Sequence, residues 1–170
     1  MAKLKGTQRK WLLILHLLFS AIMLGEAVVF LLMSITAANT NDEGMLKASY
    51  GIMHVLAQTP IKTATIGTLV SGILLSVLTS WGLFRYYWII AKEALMLVSI
   101  LLGPLGMYLW TLKAVTLTTS EGLNALEDSA FIINNNQLWV GIILQIISLA
   151  AMFIISVFKP WGSRKKPNLA

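Results

Sequence analysis

The chain has 170 residues, of which 57% are hydrophobic and 12% are charged, and its formal net charge is +6. A soluble domain carries roughly 25% charged residues, so this composition excludes an ordinary soluble protein and indicates a single transmembrane bundle over residues 1–170. The sequence contains no cysteine, which excludes disulfides, thiolate zinc sites and covalently attached c-type haem.

The first apolar segment runs from Trp11 to Ala38, and only His16 and Glu26 within it can carry a charge. At about 1.5 Å per residue it exceeds the ~20 residues that cross a hydrocarbon core, so it predicts a transmembrane helix. A charge inside such a helix costs roughly 2.5–3.5 kcal/mol on insertion scales, which makes His16 and Glu26 candidate functional residues. The segment is too long for a cleaved signal peptide and is interpreted as an uncleaved anchor.

The second span is predicted from about residue 56 to residue 80, after a helix that begins near Asp42. Pro60 is expected to kink it near its start. The third span is predicted over residues 88–112, and its Gly103-Pro104 pair is a second expected kink.

The fourth span, Leu138 to Phe158, has no charged residue. Residues 116–137 before it are predicted to form a long polar loop, in which Asn134, Asn135 and Asn136 end any short helix. Together the four spans predict an all-α polytopic membrane protein, an antiparallel four-helix transmembrane bundle.

Lysine and arginine concentrate at the two ends of the chain, whereas the two loops on the opposite side contain only Lys47 and Lys113. This asymmetry predicts that both termini are cytoplasmic. The basic termini are expected to contact anionic lipid headgroups of the bilayer, and their position argues against nucleic acid as the partner. A homo-oligomer is left open. The terminal basic residues are Lys3, Lys5, Arg9, Lys10, Lys159, Arg164, Lys165 and Lys166.

The ionisable residues inside the spans fall into two layers by helical rise. His16, Lys92 and Glu93 each lie about five residues inside the same boundary, so their depth allows them to meet. Glu26 and Lys62 share the outer third of the membrane, where we predict an intramembrane charge pair or a relay. His54 lies further out, too far from His16 for one iron to bind both. A hydrogen-bonded neutral His16 and a snorkelling Lys92 are the structural alternatives.

Each span also has one helical face of small and polar residues, which we call its seam. We interpret the seams mainly as surfaces along which the helices pack. The second, third and fourth seams include Thr65, Gly72, Ser99, Gly103, Gly141 and Gln145.

Short motifs occur in order over roughly residues 10–110: Lys10-Trp11, His16, Gly25, Pro60, Gly72 and Trp88-Ile89-Ile90-Ala91-Lys92. In these motifs the chain resembles small bacterial membrane proteins of the copper-resistance D family and of the HemJ type of protoporphyrinogen oxidase. It is most similar to an uncharacterised family of predicted integral membrane proteins. The resemblance implies a bacterial cytoplasmic membrane protein, and the HemJ type implies a b-type haem bound by His16 and Lys92.

One departure limits what the resemblance implies. The HemJ type has Leu-Pro-Arg after its first-helix glycine, whereas Gly25 is followed here by Glu26-Ala27-Val28, so porphyrinogen oxidation is not implied. The copper-resistance D relatives imply copper, with His16 as the candidate metal ligand, but the eight methionines form no tight cluster.

Three functions therefore stay open, and an enzymatic activity is neither predicted nor excluded. The first is binding of haem or a related redox ligand between the first and third spans, at His16 and Lys92. The second is a small transporter-like component that handles protons or a metal ion from outside with Glu26 and Lys62, and His54 is a further candidate residue for it. The third is a membrane scaffold subunit without chemistry of its own.

Overall fold

The computed structural model describes residues 5–79 and 82–162, and within these ranges it confirms the predicted all-α class. The basic residues Lys3, Arg164, Lys165 and Lys166 and the predicted end of the second span at residue 80 lie outside the described residues. The α-helices are α1 (Gly6–Ala38), α2 (Glu43–Gln58), α3 (Pro60–Leu78), α4 (Tyr87–Ile100), α5 (Tyr108–Glu121) and α6 (Ser129–Phe158). A π-helix (Leu101–Met107) joins α4 to α5, and a 3-10 helix (Gly122–Glu127) follows α5.

Four helical rods in the described ranges are long and apolar enough to cross a membrane: α1, α2 with α3, α4 through the 3-10 helix, and α6. Their outward faces carry large apolar side chains such as Leu17, Ile66, Leu97 and Ile147, which are exposed in the isolated chain. Such exposure suits contact with lipid and would be costly in water. The structure therefore agrees with a multi-pass integral membrane protein.

The first two rods pack with their residue numbers running in opposite order. His16, early in α1, lies 2.9 Å from the hydroxyl of Ser71, late in α3. Ser34, late in α1, donates a hydrogen bond to the sulfur of Met53 in α2 at 3.5 Å. The start of α1 therefore lies beside the end of α3.

The start of the third rod and the end of the fourth rod lie close together, at one end of the bundle. The Nζ atom of Lys159, just after α6, lies 5.9 Å from the ring centroid of Trp88 at the start of α4. We call the end of the bundle that holds His16, Trp88 and Lys159 the terminal end. We call the opposite end, with the connections at residues 39–42 and 122–128, the loop end.

The start of α2 and the break after it follow the predicted signals. Asp42 accepts a hydrogen bond from the backbone N–H of Met45 at 2.6 Å, which caps the helix. The rod breaks at Thr59, and Pro60 is the first residue of α3. Proline lacks an N–H and has a fixed φ, so it can begin a helix but interrupts one that is already running.

The expected kink at Gly103-Pro104 takes the form of a seven-residue π-helix. Pro104 cannot donate to the carbonyl one turn earlier, and the wider turn of a π-helix accommodates that missing bond. Segments of this kind are frequent at functional sites. Here the π-helix brings Gly103 and Met107 to the centre of the bundle.

The predicted polar loop over residues 116–137 is wrong, because α5, the 3-10 helix and α6 occupy nearly all of it. The hydroxyls of Thr116 and Ser120 donate to carbonyls one turn earlier, so they are satisfied inside a helix. Asn134 does not end a helix: it lies within α6 and donates to the Trp110 carbonyl at 2.8 Å. The helix of the fourth span, α6, therefore begins at Ser129, well before the predicted start of that span.

The close approach of α5 and α6 can be tested at Gly141. A Cβ atom at this position would collide with the Trp110 ring, so we expect Gly141→Ala to lower the free energy of unfolding by about 1–3 kcal/mol. Thermal unfolding of the detergent-solubilised protein measures the change. Gly51→Ala is the matched control, because nothing lies within 4 Å of a Cβ there. Equal shifts in both variants would contradict the packing described.

Candidate functional site

A small cavity of about 10 Å³ lies where all four rods meet. Its polar lining residues are Glu26 from α1, Thr65 from α3 and Gln145 from α6, and the π-helix contributes Gly103 and Met107. A cavity of this size holds about one water molecule when polar groups line it. We call it the Glu26 cavity.

The carboxyl group of Glu26 is buried without a protein partner. The residue is 8% exposed, and neither carboxyl oxygen has a hydrogen-bond partner within the described ranges. Thr65 Oγ1 and Gln145 Oε1 are also buried and unpartnered there. An ionised carboxylate in such surroundings is very costly, so a proton or a bound cation must neutralise it.

The structure does not bring Glu26 and Lys62 together. The ammonium group of Lys62 lies 4.3 Å from the centroid of the Tyr108 ring, a cation–π contact. The reason is helical rotation. Ile61 and Thr65 line the cavity, and Lys62, one residue after Ile61, is turned about 100° away from it.

His54 is held on both sides by its neighbours. Its Nδ1 lies 3.1 Å from Thr111 Oγ1, its Nε2 lies 3.0 Å from Gln58 Nε2, and its ring lies 5.3 Å from that of Tyr108. The Thr111 hydroxyl donates to the Met107 carbonyl at 2.7 Å, so it accepts from His54 Nδ1–H. Nε2 then accepts from Gln58, which leaves His54 no free lone pair for a metal.

His16 has one nitrogen engaged and one with a lone pair. Ser71 Oγ donates to the Gly67 carbonyl at 2.6 Å, so it accepts from His16 Nδ1–H at 2.9 Å. The lone pair of the imidazole is then on Nε2. Lys92 is close enough to interact electrostatically with this ring, and its Nζ lies 6.0 Å from the Trp88 ring centroid. The predicted meeting of His16 and Lys92 stays a prediction.

The fit of His16 to a metal or haem is partial. Its Nε2 is a suitable axial donor, but no group of three or more His, Asp or Glu side chains in residues 5–79 and 82–162 could hold a metal ion. The ring also packs tightly against α3, since a Cβ at Gly72 would lie 3.2 Å from His16 Cε1. The site offers one ligand and no multi-residue metal centre.

The sequence pattern alone did not identify three residues of the Glu26 cavity as site residues: Thr65, Gly103 and Gln145. They belong to the seams interpreted as helix packing. A signal was present for one of them: Gln145 is the one side-chain amide in the uncharged segment 138–158. Its significance depends on Glu26 facing it, which only the packing of α1 against α6 shows.

No protein-family model, curated protein or solved structure matches this chain. The resemblance to the copper-resistance D and HemJ-like group therefore stays a prediction.

The absence of a protein partner for Glu26 has a measurable consequence. Replacing this buried acid by a side chain of similar volume removes an unsatisfied group, so we expect Glu26→Met to raise the free energy of unfolding by about 1–3 kcal/mol. Chemical or thermal unfolding in detergent measures the change.

Asn134→Leu is the control for a buried polar group that does have a partner. It leaves the Trp110 carbonyl without its donor, so we expect destabilisation of about 1–3 kcal/mol. A Glu26→Met variant that loses as much stability as Asn134→Leu would show that the carboxyl is paired, as in the predicted bond to Lys62.

Proposed function

We propose that the protein is a proton-handling component of the cytoplasmic membrane, in which Glu26 takes up and releases a proton inside an antiparallel four-helix bundle. The observation that carries the proposal is the buried Glu26 carboxyl, which has no partner in the described part of the chain and lies where the four rods meet. Intramembrane acids are expensive and are usually retained for transport or proton relay.

A purely structural role explains this carboxyl poorly. A scaffold subunit gains nothing from an acid that contributes no hydrogen bond or ion pair, because an apolar side chain would stabilise the bundle more. The surroundings also fit reversible protonation. Thr65 and Gln145 offer a hydroxyl and an amide to a neutral carboxyl or to a water molecule beside it.

Gly103 allows these polar groups to approach one another. A Cβ at Gly103 would lie 3.4 Å from Ile61 Cγ2 and 3.7 Å from Gln145 Nε2. The π-helix therefore presents a small residue where α3 and α6 come close to α1. A larger side chain there would fill the space that a proton-carrying water needs.

The charge distribution supports an orientation with the terminal end in the cytoplasm. Lys5, Arg9 and Lys159 lie at this end, whereas the loop end carries the acidic residues Glu43 and Glu121. Basic residues flank the cytoplasmic side of membrane helices and attract anionic headgroups.

Carbodiimide labelling tests the proposal, because these reagents react with protonated carboxyl groups in apolar surroundings. We expect dicyclohexylcarbodiimide to modify Glu26 in the membrane-embedded protein, with peptide mass spectrometry locating the adduct. Labelling should fall as the pH is raised and the carboxyl loses its proton. Glu26→Gln should abolish this adduct.

Glu93→Gln is the matched control, since Glu93 is another partly buried acid whose Oε1 has no partner among the described residues. It should leave labelling of Glu26 intact. If Glu26 remains unlabelled at every pH while the folded protein is recovered, the proton-handling proposal is contradicted.

A second candidate is binding of a b-type haem or a related redox ligand, and the lone pair on His16 Nε2 beside Lys92 favours it. His16 would hold the iron through Nε2, and Lys92 could coordinate only as a neutral amine. A haem bound there would supply electron transfer. The hydrogen bond from Nδ1 to Ser71 would hold the imidazole in the tautomer that ligation needs.

An absorption spectrum of the detergent-purified protein separates the two candidates. Haem binding predicts a Soret band that is lost in His16→Ala and kept in His54→Ala, since both nitrogens of His54 are already hydrogen-bonded. A protein that stays colourless when expressed with sufficient haem contradicts this second candidate and leaves the Glu26 proposal untouched.

A further inference from the structure

We infer that the proton reaches Glu26 from the terminal end of the bundle only, along the hydroxyls of Thr68 and Ser99 and past His16, while an apolar layer closes the loop end. The inference rests on the proposed function and adds to it a direction and a route.

On the terminal side, the next helical turn beyond the cavity provides two free hydroxyls. Thr68 lies one turn beyond the lining residue Thr65, and Ser99 lies one turn before the lining residue Gly103, which is about 4.5–6 Å along the axis. Both side chains are more than nine-tenths buried, and neither hydroxyl oxygen has a partner in the described part of the chain.

These two hydroxyls differ from most others in the helices. A serine or threonine within a helix commonly donates to the carbonyl one turn earlier, as Ser71 and Thr111 do here. Thr68 and Ser99 make no such bond. Their protons and lone pairs are therefore available to a water molecule or to neighbouring polar groups. Hydrogen bonds of this kind can form a chain that conducts protons.

His16 continues the route towards the terminal end. Its ring makes a hydrogen bond with the backbone of Thr68 and contacts the Ser71 hydroxyl through Nδ1. Nε2 carries the lone pair that can accept a proton. The charged group that faces this ring from α4 is Lys92, and the next residue, Glu93, has a buried carboxyl oxygen without a partner among the described residues.

On the loop side, the next turn is closed by apolar side chains. Phe30 on α1, Ala57 on α2 and Ile142 on α6 are each about one turn from a residue that lines the cavity, and all three are 0% exposed. They belong to one continuous buried cluster. The nearby hydroxyl of Thr111 is already donated to Met107. A close-packed apolar layer of this kind holds no water.

The chemistry of the route is a proton transfer alone. Protonation of Glu26 takes one proton from water at the terminal end and forms one carboxyl O–H bond. Release breaks that bond and returns the proton to the same side. No oxidant, reductant or further co-reactant is needed.

The absence of cysteine from the sequence allows a direct test with single-cysteine variants. Thr68→Cys and Ser99→Cys probe the terminal side, and Ala57→Cys and Ile142→Cys are matched controls on the loop side. A thiol reacts as its thiolate, which forms only where water reaches it. The variants are reconstituted in liposomes and treated with a membrane-impermeant methanethiosulfonate reagent on one side at a time.

Two exposed positions report the orientation of the protein in the liposomes. Gln8→Cys marks the terminal end, and Asn39→Cys marks the loop end. Every variant must first retain carbodiimide labelling of Glu26, which shows that its bundle is folded. Having two probes on each side keeps the comparison valid if one variant does not fold.

We expect Thr68→Cys and Ser99→Cys to react from the terminal side at least about tenfold faster than the loop-side controls, because only the hydrated thiols ionise. Equal rates on both sides, or faster reaction of Ala57→Cys and Ile142→Cys from the loop end, would overturn the inference while Glu26 labelling keeps the proposed function. Loss of Glu26 labelling in the unmodified protein would instead overturn the proposed function.

Discussion

Hydrocarbon offers no hydrogen bonds, so every polar group within a membrane bundle must find its partner inside the protein or carry a cost of several kcal/mol. Most side chains of this protein meet that constraint locally. The hydroxyls of Ser20, Ser71 and Thr118 donate to carbonyls of their own helices, and Asn134 satisfies a carbonyl of α5. The exceptions are concentrated at Glu26 and along the seam that leads from it to the terminal end.

This concentration distinguishes Glu26 from the other ionisable residues. Lys62 is accommodated on the face of Tyr108, and His54 has a hydrogen bond at each nitrogen. His16 is anchored at one nitrogen and presents a lone pair at the other. Within residues 5–79 and 82–162, Glu26 is the one of these four without a protein partner, and it lies at the meeting point of all the rods. A group that destabilises the fold at its centre is best explained by what it binds, and a proton is the smallest ligand that neutralises it.

The sequence was sufficient for the features that depend on composition and local signals. Apolar length predicts the four crossing helices, Asp42 marks the start of α2, and Pro60 marks the break before α3. Helical rise gives only the depth of a residue in the membrane, and depth alone cannot show that Lys62 turns away from Glu26. The polar run after Thr116 was misleading because its hydroxyls are satisfied by backbone carbonyls within a helix.

Infrared difference spectroscopy of the protein in lipid tests most directly whether Glu26 carries an exchangeable proton. Titration in H₂O and in D₂O should reveal a carbonyl stretch of a protonated carboxylic acid that shifts on deuteration and disappears in Glu26→Gln. Loss of this band in Glu26→Gln, with the band unchanged in Glu93→Gln, is the result that the structure predicts. A spectrum without a protonated carboxylic acid, or one whose carboxylic acid band is unchanged in Glu26→Gln, would contradict the central role assigned to this residue.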